Sequence, residues 1–560
     1  MKTDKAEGST AAAGRFDVVT ELVRGVPMGV YRQRFRSLRE LFDASVLRYA
    51  ERDHVVFGAD RITFGQLDAR VAALAGGLAR RGVGPGDRVA VLAANHPAWV
   101  EALWATTRLG AILVGLNGWW AADELAYALA DAEPRVLLVD RRRLERIAGI
   151  VGSSPVEHVI VIDGDGQEPG ATETWSSLVS GPPDHEVHAV DEDDASVILY
   201  TSGTTGRSKG AMWTHRSMLA ALQSNAHLLV QARADASTAP VPRPAAGQIG
   251  ILVSVPLFHT SGLQASVVAA LASGAKAVML EGRFRPEEVL RLVEQEQITA
   301  WGAVPTMVLQ VLDHPDVGRY DLSSLRSISY GGSPSSSDLQ ARARETLGVA
   351  ARVGNAYGLT ETTAAVITIN GDEFAARPDA VGRPHPLVEV RIADVDGNGL
   401  PPGERGEIHI KAPMVMAGYW HNDAATEAAI VDGWLRTGDI GEMDAEGYVY
   451  VRDRAKDMII RGGENVYCSE IEDRLEQHPA VVEAAVVGSA HPVLGEEVKA
   501  IVRLRDGETV DAAALQAWVA AALAHFKVPS IVAFTIEPLP RTATGKLLKA
   551  QLRAEPVATA

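Results

Sequence analysis

The stretch Tyr200-Thr-Ser-Gly-Thr-Thr-Gly-Arg-Ser-Lys-Gly210 constrains this chain more than any other. It follows the apolar run Val197, Ile198 and Leu199, so it reads as a strand emptying into a polar, glycine-rich loop. Its glycines let the backbone curl close to a ligand, and its hydroxyls and Lys209 can converge on phosphate oxygens. The spacing G-x-x-G-x-x-K-G is not that of a Walker A loop, nor the G-x-G-x-x-G of a dinucleotide site. Taken alone, the string also fits a plain Ser/Thr/Gly linker.

With 560 residues the chain is too long for one core, and two or more domains are expected. Phe64, Leu67, Val71, Leu74 and Leu78 recur at helical spacing, and Gly82-Val-Gly-Pro-Gly86 ends that helix. Strands are expected at Arg88 to Ala94, Ala111 to Leu116 and Arg135 to Asp140, with a helix after Pro97. Strands so spaced, with helices between, mean βαβ units and largely parallel sheets. Asp163 to Val187 reads as a surface connection, and Gln231 to Gly247 as an Ala/Pro-rich loop insertion.

After Tyr450 the pattern changes. Arg452-Asp-Arg-Ala-Lys-Asp457 is a charge run suited to an exposed hinge. Beyond it, strand-like Val481 to Val487, Val498 to Leu504 and Ile531 to Ile536 alternate with helical patterns. The expected fold class is therefore α/β: a large N-terminal domain of βαβ-type sheets and helices, plus a small C-terminal α+β domain. The expected boundaries are a disordered tail over 1–30, the large domain over 31–453, and a small domain over 454–560 joined through the charge run.

A balance of 54 basic against 71 acidic residues, net −17, argues against nucleic acid as a partner. Cys468 is the only cysteine, so no intramolecular disulfide can form and a reducing, cytoplasmic setting is expected. Met1 to Arg15 has no apolar core and does not read as a signal peptide, and no apolar run is long enough for a transmembrane anchor.

Further strings carry chemistry. In Asn355-Ala-Tyr-Gly-Leu-Thr-Glu-Thr362, Tyr357 offers a flat face for adenine, and Thr360 and Glu361 offer hard oxygens suited to Mg2+. In isolation the string also reads as a loop before a helix, capped by Thr360. Asp432-Gly-Trp434 precedes Thr437-Gly-Asp439, whose carboxylate can accept from both hydroxyls of a ribose. Arg454 follows fifteen residues later; Arg461-Gly-Gly-Glu-Asn-Val-Tyr467 and Pro540-Arg-Thr-Ala-Thr-Gly-Lys546 complete the set.

In this order, these strings resemble the motifs of the adenylate-forming superfamily, which includes acyl-CoA synthetases, nonribosomal adenylation domains and firefly luciferase. The likeness covers almost the whole chain after about residue 30 and points to the acyl-CoA synthetase branch. One departure is Ser208, where the family usually has proline.

The resemblance implies ATP, Mg2+ and CoA as cofactor and co-substrates. It assigns the phosphates to Thr201, Ser202, Gly203, Thr204, Thr205, Gly206 and Lys209, and the nucleotide to Gly332, Asn355, Tyr357, Gly358, Thr360, Asp439 and Arg454. Metal ligation falls to Glu361 and Thr204, and the α-phosphate and substrate carboxylate to Lys546. Gly462, Gly463 and Glu464 would line the pantetheine tunnel once the small domain has swung about Lys456. A homodimer, and a lysine acetyltransferase acting on Lys546, are further expected partners.

Pro256-Leu-Phe-His-Thr-Ser-Gly262 resembles the acid-side motif, and lacks the aspartate that would pair an amino-acid ammonium. His259 there is either an aromatic gate over the carboxylate or an acid–base catalyst. Trp301 to Met307, Gly331-Gly-Ser333 and Ala364 to Val366 are expected to line the acid pocket with small and apolar groups. The expected substrate is a fatty or other alkyl carboxylic acid. An aryl acid, a carrier-protein acceptor, a luciferase-like oxygenase and a non-catalytic acyl-adenylate binder stay as alternatives.

Two separate C-terminal motifs on one small domain lead to a test. Lys546→Ala should abolish acyl-AMP formation while sparing thioester formation from supplied acyl-AMP. Lys456→Pro should do the reverse, because a fixed φ hinders rotation. Equal loss of both half-reactions in both variants would rule out domain alternation.

Overall fold

The structure is a computed structural model that describes residues 14–201, 207–234, 247–331, 337–347, 352–454, 457–461, 464–541 and 547–554. It divides into two compact units: residues 1–389 with 410–435, and residues 390–409 with 436–560. Residues 436–453, expected in the large domain, thus cluster with the second unit.

The first unit carries two large sheets. One runs Gly418–Tyr419, Gly210–Thr214, Ala195–Tyr200, Ile112–Gly115, Arg88–Leu92, Val136–Val139, His158–Val161, Glu173–Thr174. From Ala195–Tyr200 onward its neighbours are parallel, as the βαβ spacing predicts. Its strands Arg88–Leu92 and Val136–Val139 are buried almost throughout, hence their unbroken apolar sequence. The other sheet runs Arg383–Pro384, Ala365–Asn370, Arg352–Gly358, Ser327–Gly331, Ala300–Ala303, Gly250–Val253, Lys276–Met279, Asp53–Phe57, Asp60–Thr63.

Local signals start and stop the helices where expected. Phe64–Ala79 opens on a Thr63/Gln66 capping box. Pro97–Leu109 begins with proline at its first turn and ends on Gly110 at φ +67°. All of its residues are buried, and Arg70 and Arg108 reach Glu101 and Asp68 across from Phe64–Ala79.

Part of the expected disordered tail is folded. Val18–Val23 and Val26–Tyr31 form an antiparallel hairpin whose Val23, Met28 and Val30 are buried. Its two-residue turn places Arg24 at φ +47° and Gly25 at φ +82°, the left-handed pair that matches strand twist. Arginine is an uncommon first residue for such a turn, so the Arg-Gly signal passes unnoticed in the sequence.

The expected surface connection after Asp163 is likewise structured. It adds the edge strand Glu173–Thr174 and the helix Trp175–Val179, whose Leu178 is fully buried. That burial depends on Gly76 and Gly77. A Cβ on them would lie 2.2 Å from the Pro182 carbonyl oxygen and 2.1 Å from that of Leu178.

The second unit is α+β. Val481–His491 and Gly495–Leu504 form a long antiparallel pair, extended by Ile459–Arg461, Glu464–Val466 and Ile531–Thr535. Helices Cys468–Glu476 and Ala512–Ala520 contribute Cys468, Ile471, Leu475, Leu515 and Val519 to its main core. A further sheet is built around Gly406–Lys411, Trp434–Met443 and Val449–Arg454. The charge run at 452–457 is therefore not all exposed hinge: it begins in a strand, and Asp453 is buried. Burial is the main reason the Asp453 carboxyl is pushed up to about 6.

Alanine normally stabilises a helix over glycine by about 1 kcal/mol. At Gly77 the approach of rigid backbone outweighs that gain, because overpacking costs about 1–3 kcal/mol. Gly77→Ala should lower the urea midpoint. Gly149→Ala, in a helix with open space at that Cβ, should raise it slightly. An increase for Gly77→Ala would show that the Leu178 segment yields.

Candidate active site

The phosphate-loop string joins two antiparallel strands, Ala195–Tyr200 and Gly210–Thr214, paired at Tyr200 and Gly210. The Thr201 amide donates to the Lys209 carbonyl at 2.9 Å, and the Lys209 amide donates to Thr201 Oγ1 at 3.4 Å. The Thr201 hydroxyl, expected on phosphate, thus helps close the loop at its base. Side chains pin the same base. Tyr200 Oη donates to Asp131 at 2.6 Å, Trp420 Nε1 donates to the Asp131 carbonyl, and the Trp420 amide donates to Gly210 O at 2.7 Å. Gly210 has no room for a Cβ between Ile198 and Trp420.

The Tyr-Gly-Leu-Thr-Glu string lies close by. Arg352–Gly358 is a strand, followed by a single 3-10 turn at Thr360–Thr362. Gly358 is required there, since its Cβ would lie 2.3 Å from the Ala364 carbonyl oxygen where the chain doubles back. The next residue pair keeps strain: Thr363, β-branched, sits at φ +63°, held by Thr363 Oγ1 donating to Met414 O at 2.8 Å. Trp213 Nε1 donates to the Thr360 carbonyl at 2.7 Å, and the Met416 amide donates to that of Glu361 at 2.8 Å.

Tyr419 joins the two strings. Its hydroxyl donates to Glu361 Oε1 at 2.8 Å, and Lys209 Nζ lies 4.4 Å from the centre of its ring. Burial first, and then the Glu361 charge, push the Tyr419 phenol far above its usual range, so it stays a donor. No Lys or Arg among the described residues forms an ion pair with Glu361. Tyr419 carried no motif in the sequence; the signal available was its place in Gly418-Tyr-Trp420, just after an apolar stretch.

At the string 256–262, expected on the acid side, Asn95 holds the segment after Gly250–Val253. Its Nδ2 donates to Val255 O and its Oδ1 accepts from the Leu257 amide, both at 2.9 Å. Thr260 Oγ1 donates to the Thr363 carbonyl, tying this segment to the strained turn. His259 is half-buried, tilted against Phe258 at 4.6 Å, and its buried Nε2 has no partner among the described residues. Burial lowers its pKa to about 4, so the ring is neutral at pH 7. Trp301 is buried and donates from Nε1 to Ser254 Oγ at 2.9 Å. On the opposite face of the same sheet, Gly302 has open space and Gly331 nearly so.

The exposed ring of Trp119 was not anticipated. It meets Phe258 edge-on at 6.4 Å, on a loop whose Gly118 and Trp120 carbonyls accept from Arg143 and Arg146.

In the second unit Asp439 and Arg454 face each other across paired strands, with Arg454 Nε 3.1 Å from Asp439 Oδ1. Asp439 is buried and follows Gly438 at φ +71°, whose amide donates to Glu407 at 2.9 Å. Asn355 is buried and Tyr357 half-buried, both on the strand that leads to Glu361. Ser202, Gly203, Thr204, Thr205, Gly206, Gly332, Lys456, Gly462, Gly463 and Lys546 lie outside the described residues, and Glu464 is described only as part of the strand Glu464–Val466.

Comparison with known proteins gives a consistent set. The family description "AMP-binding enzyme" matches residues 42–420, and "AMP-binding enzyme C-terminal domain" matches residues 470–546. A feruloyl-CoA synthase from Amycolatopsis is 38% identical over 500 residues, covering 89% of this chain and 94% of that protein. A long-chain-fatty-acid–CoA ligase from Thermus thermophilus is 35% identical over 508 residues, covering 88% and 90%. Among solved structures, ATP-bound MatB from Rhodopseudomonas palustris matches with a TM-score of 0.81 at 32% identity, covering 92% of this chain and 98% of that one. The anthranilate CoA ligase AuaEII with anthranoyl-AMP matches at 0.82 and 26%, covering 93% and 97%.

Tyr419→Phe removes the hydroxyl from Glu361 and leaves the ring beneath Lys209. Stripping a charged acceptor of its donor costs about 1–3 kcal/mol, so acid-dependent pyrophosphate release from ATP should fall about tenfold. Tyr419→Ala should fall further, because the lysine also loses its ring. Equal rates for Phe and wild type would remove Tyr419 from the site.

Proposed function

Because the chain belongs to the AMP-binding enzyme family, we propose that it is an ATP-dependent carboxylic acid–CoA ligase working through an acyl-AMP. The observation that carries this reading is the meeting of Lys209 and Glu361 on Tyr419. A cation that can draw in a triphosphate and a carboxylate that can hold its counter-ion are there separated by one aromatic ring. The acid attacks the α-phosphate and pyrophosphate leaves; the CoA thiol then displaces AMP. Splitting one condensation into two transfers lowers each barrier.

Magnesium fits the residues present. Glu361 is a hard oxygen ligand without an ion-pair partner among the described residues, oriented by a neutral phenol. In this reading Glu361 and Thr204 hold the ion, which offsets phosphate charge. Lys209 and the residues 201–206 take the phosphates, Tyr357 stacks on adenine, and Asp439 with Arg454 takes the ribose. Lys546 offsets the charge that develops between carboxylate and α-phosphate, work typically worth about 3–4 kcal/mol for one such group. Gly462, Gly463 and Glu464 border the pantetheine.

His259 is read as the gate over the carboxylate, since burial lowers its pKa to about 4 and the neutral ring is a poor general acid at neutral pH. The acid pocket beyond it is apolar in this reading. An aryl acid is placed first, because a relative named feruloyl-CoA synthase shares 38% of residues over most of the chain. A fatty or other alkyl acid is the second reading, supported by the long-chain ligase relatives and by the open positions at Gly302 and Gly331. No helix among the described residues is long and apolar enough to cross a membrane. The cytoplasm is the proposed location.

AMP release with CoA across a panel containing ferulate, anthranilate and dodecanoate tests the reading. Release with ferulate above dodecanoate is expected; the reverse order favours the alkyl class. Silence from every acid would sink the ligase and favour a non-catalytic binder. His259→Phe should keep most of kcat and the wild-type pH profile between about pH 5 and 8. A lost limb of that profile would restore the acid–base role.

A further inference from the structure

The described residues that flank 542–546 pair with each other as two feet. Arg541 and Leu547 form an antiparallel bridge, and the Leu548 amide donates to the Pro540 carbonyl at 2.8 Å. Beneath the first foot lies Glu483, a buried carboxylate on the strand Val481–His491. Its Oε1 accepts from the Leu539 amide at 3.1 Å and from Arg503 Nε at 2.7 Å, and its Oε2 accepts from Arg541 Nη2 at 2.8 Å.

A β-bulge puts it there. Val481 packs with Ala484 and Val486 in the main core, whereas Ala485 and Val487 pack with Leu539 and Leu552 on the other face. In an unbroken strand, Glu483 would share the face of Val481 and point into the main core. The register shifts between Val481 and Glu483, leaving Val482 as the extra residue, and the carboxylate turns to the Leu539 face. Taking a carboxylate out of water is costly unless its lone pairs are met, and here two guanidiniums and an amide meet them. Burial pushes the Glu483 carboxyl up, but Arg541 and the other donors outweigh it and hold the group below its usual range.

We propose that Glu483 is a positioning residue for adenylation, fixing the described residues that lead to Lys546 by accepting from the Leu539 amide and the Arg541 guanidinium. It rests on the ligase reading of Lys546 and acts through that lysine without touching substrate. Arg503 shares the same carboxylate but belongs to the neighbouring strand Gly495–Leu504, outside the lysine segment.

That difference supplies the test. The acid giving most pyrophosphate in the panel is used, with its synthetic acyl-AMP. In Glu483→Gln, acid-dependent pyrophosphate release should fall roughly ten- to hundredfold, as for a lost orienting partner or a displaced catalytic group. Thioester formation from the acyl-AMP and CoA should be unchanged. Arg541→Met should behave alike, the double variant should be no worse than either single one, and Arg503→Met should leave both half-reactions as they are. Hydrogen exchange supplies a readout independent of activity: the Leu548 amide should lose protection in Glu483→Gln and keep it in Arg503→Met. Loss of both half-reactions together with a lower Tm would make Glu483 a merely structural residue. Unchanged pyrophosphate release, or unchanged Leu548 protection, would also overturn the proposal. A wild-type protein silent with every acid would instead defeat the ligase reading, while exchange at Leu548 still decides whether Glu483 anchors the segment.

Discussion

The hydrogen bond from Tyr419 to Glu361 is the contact on which the two large sheets of the first unit meet. Tyr419 lies on the edge strand of the eight-stranded sheet, and Glu361 follows a strand of the nine-stranded sheet. One phenol therefore joins the two sheets at the point where their loops carry opposite charges. A hydrogen bond to a charged group contributes roughly 1.5–3 kcal/mol, and the Lys209 ammonium over the same ring adds about 0.5–2 kcal/mol. Neither sum is large beside the burial of two sheets. Its value lies in geometry, since it sets where Lys209 and Glu361 stand relative to each other.

Electrostatics explains why such local arrangement is needed. A chain with a net charge of −17 repels a polyanion at long range. Attraction must come from short-range cations and backbone donors held where the phosphates pass. The base of the loop at 200–210, the proposed phosphate loop, is accordingly overdetermined: backbone pairing, Asp131, Trp420 and the steric limit at Gly210 all act on the same few residues. The strained Thr363 turn serves the same end, binding the acid-side segment through Thr260 and the Glu361 turn through its own position.

The second unit uses a different device. Its long strand pair has a core on each face, and a single bulge lets one charged residue leave the main core for the face of Leu539 and Leu552. Charges withdrawn wholly or partly from water recur in this unit. Lys549 is paired with Glu472 at 2.8 Å, while Asp453 accepts from the amides of Arg454 and Cys468. Each carboxylate is met by donors, which is the condition for tolerating it out of water.

The sequence by itself determined the fold class, the family and the kind of chemistry. Buried parallel strands need continuous apolar runs, helices need caps, and loops that grip phosphate need glycine and hydroxyls at set spacings; all of these are local. Hence Arg88–Leu92 and Pro97–Leu109 could be read directly, and the strings at 200–210 and 355–362 were enough to identify the family. What only the tertiary structure decided is long-range. The Arg24-Gly25 hairpin lacks the usual turn residues, and the segment around Leu178 is ordered by two distant glycines. Asp453 looks like part of a solvated charge run until its strand is placed among its neighbours. Tyr419 and Glu483 carry no motif, because the partners that meet them lie 58 residues away in each case. A carboxylate's worth depends on which donors the fold brings to it, and no spacing along the chain records that.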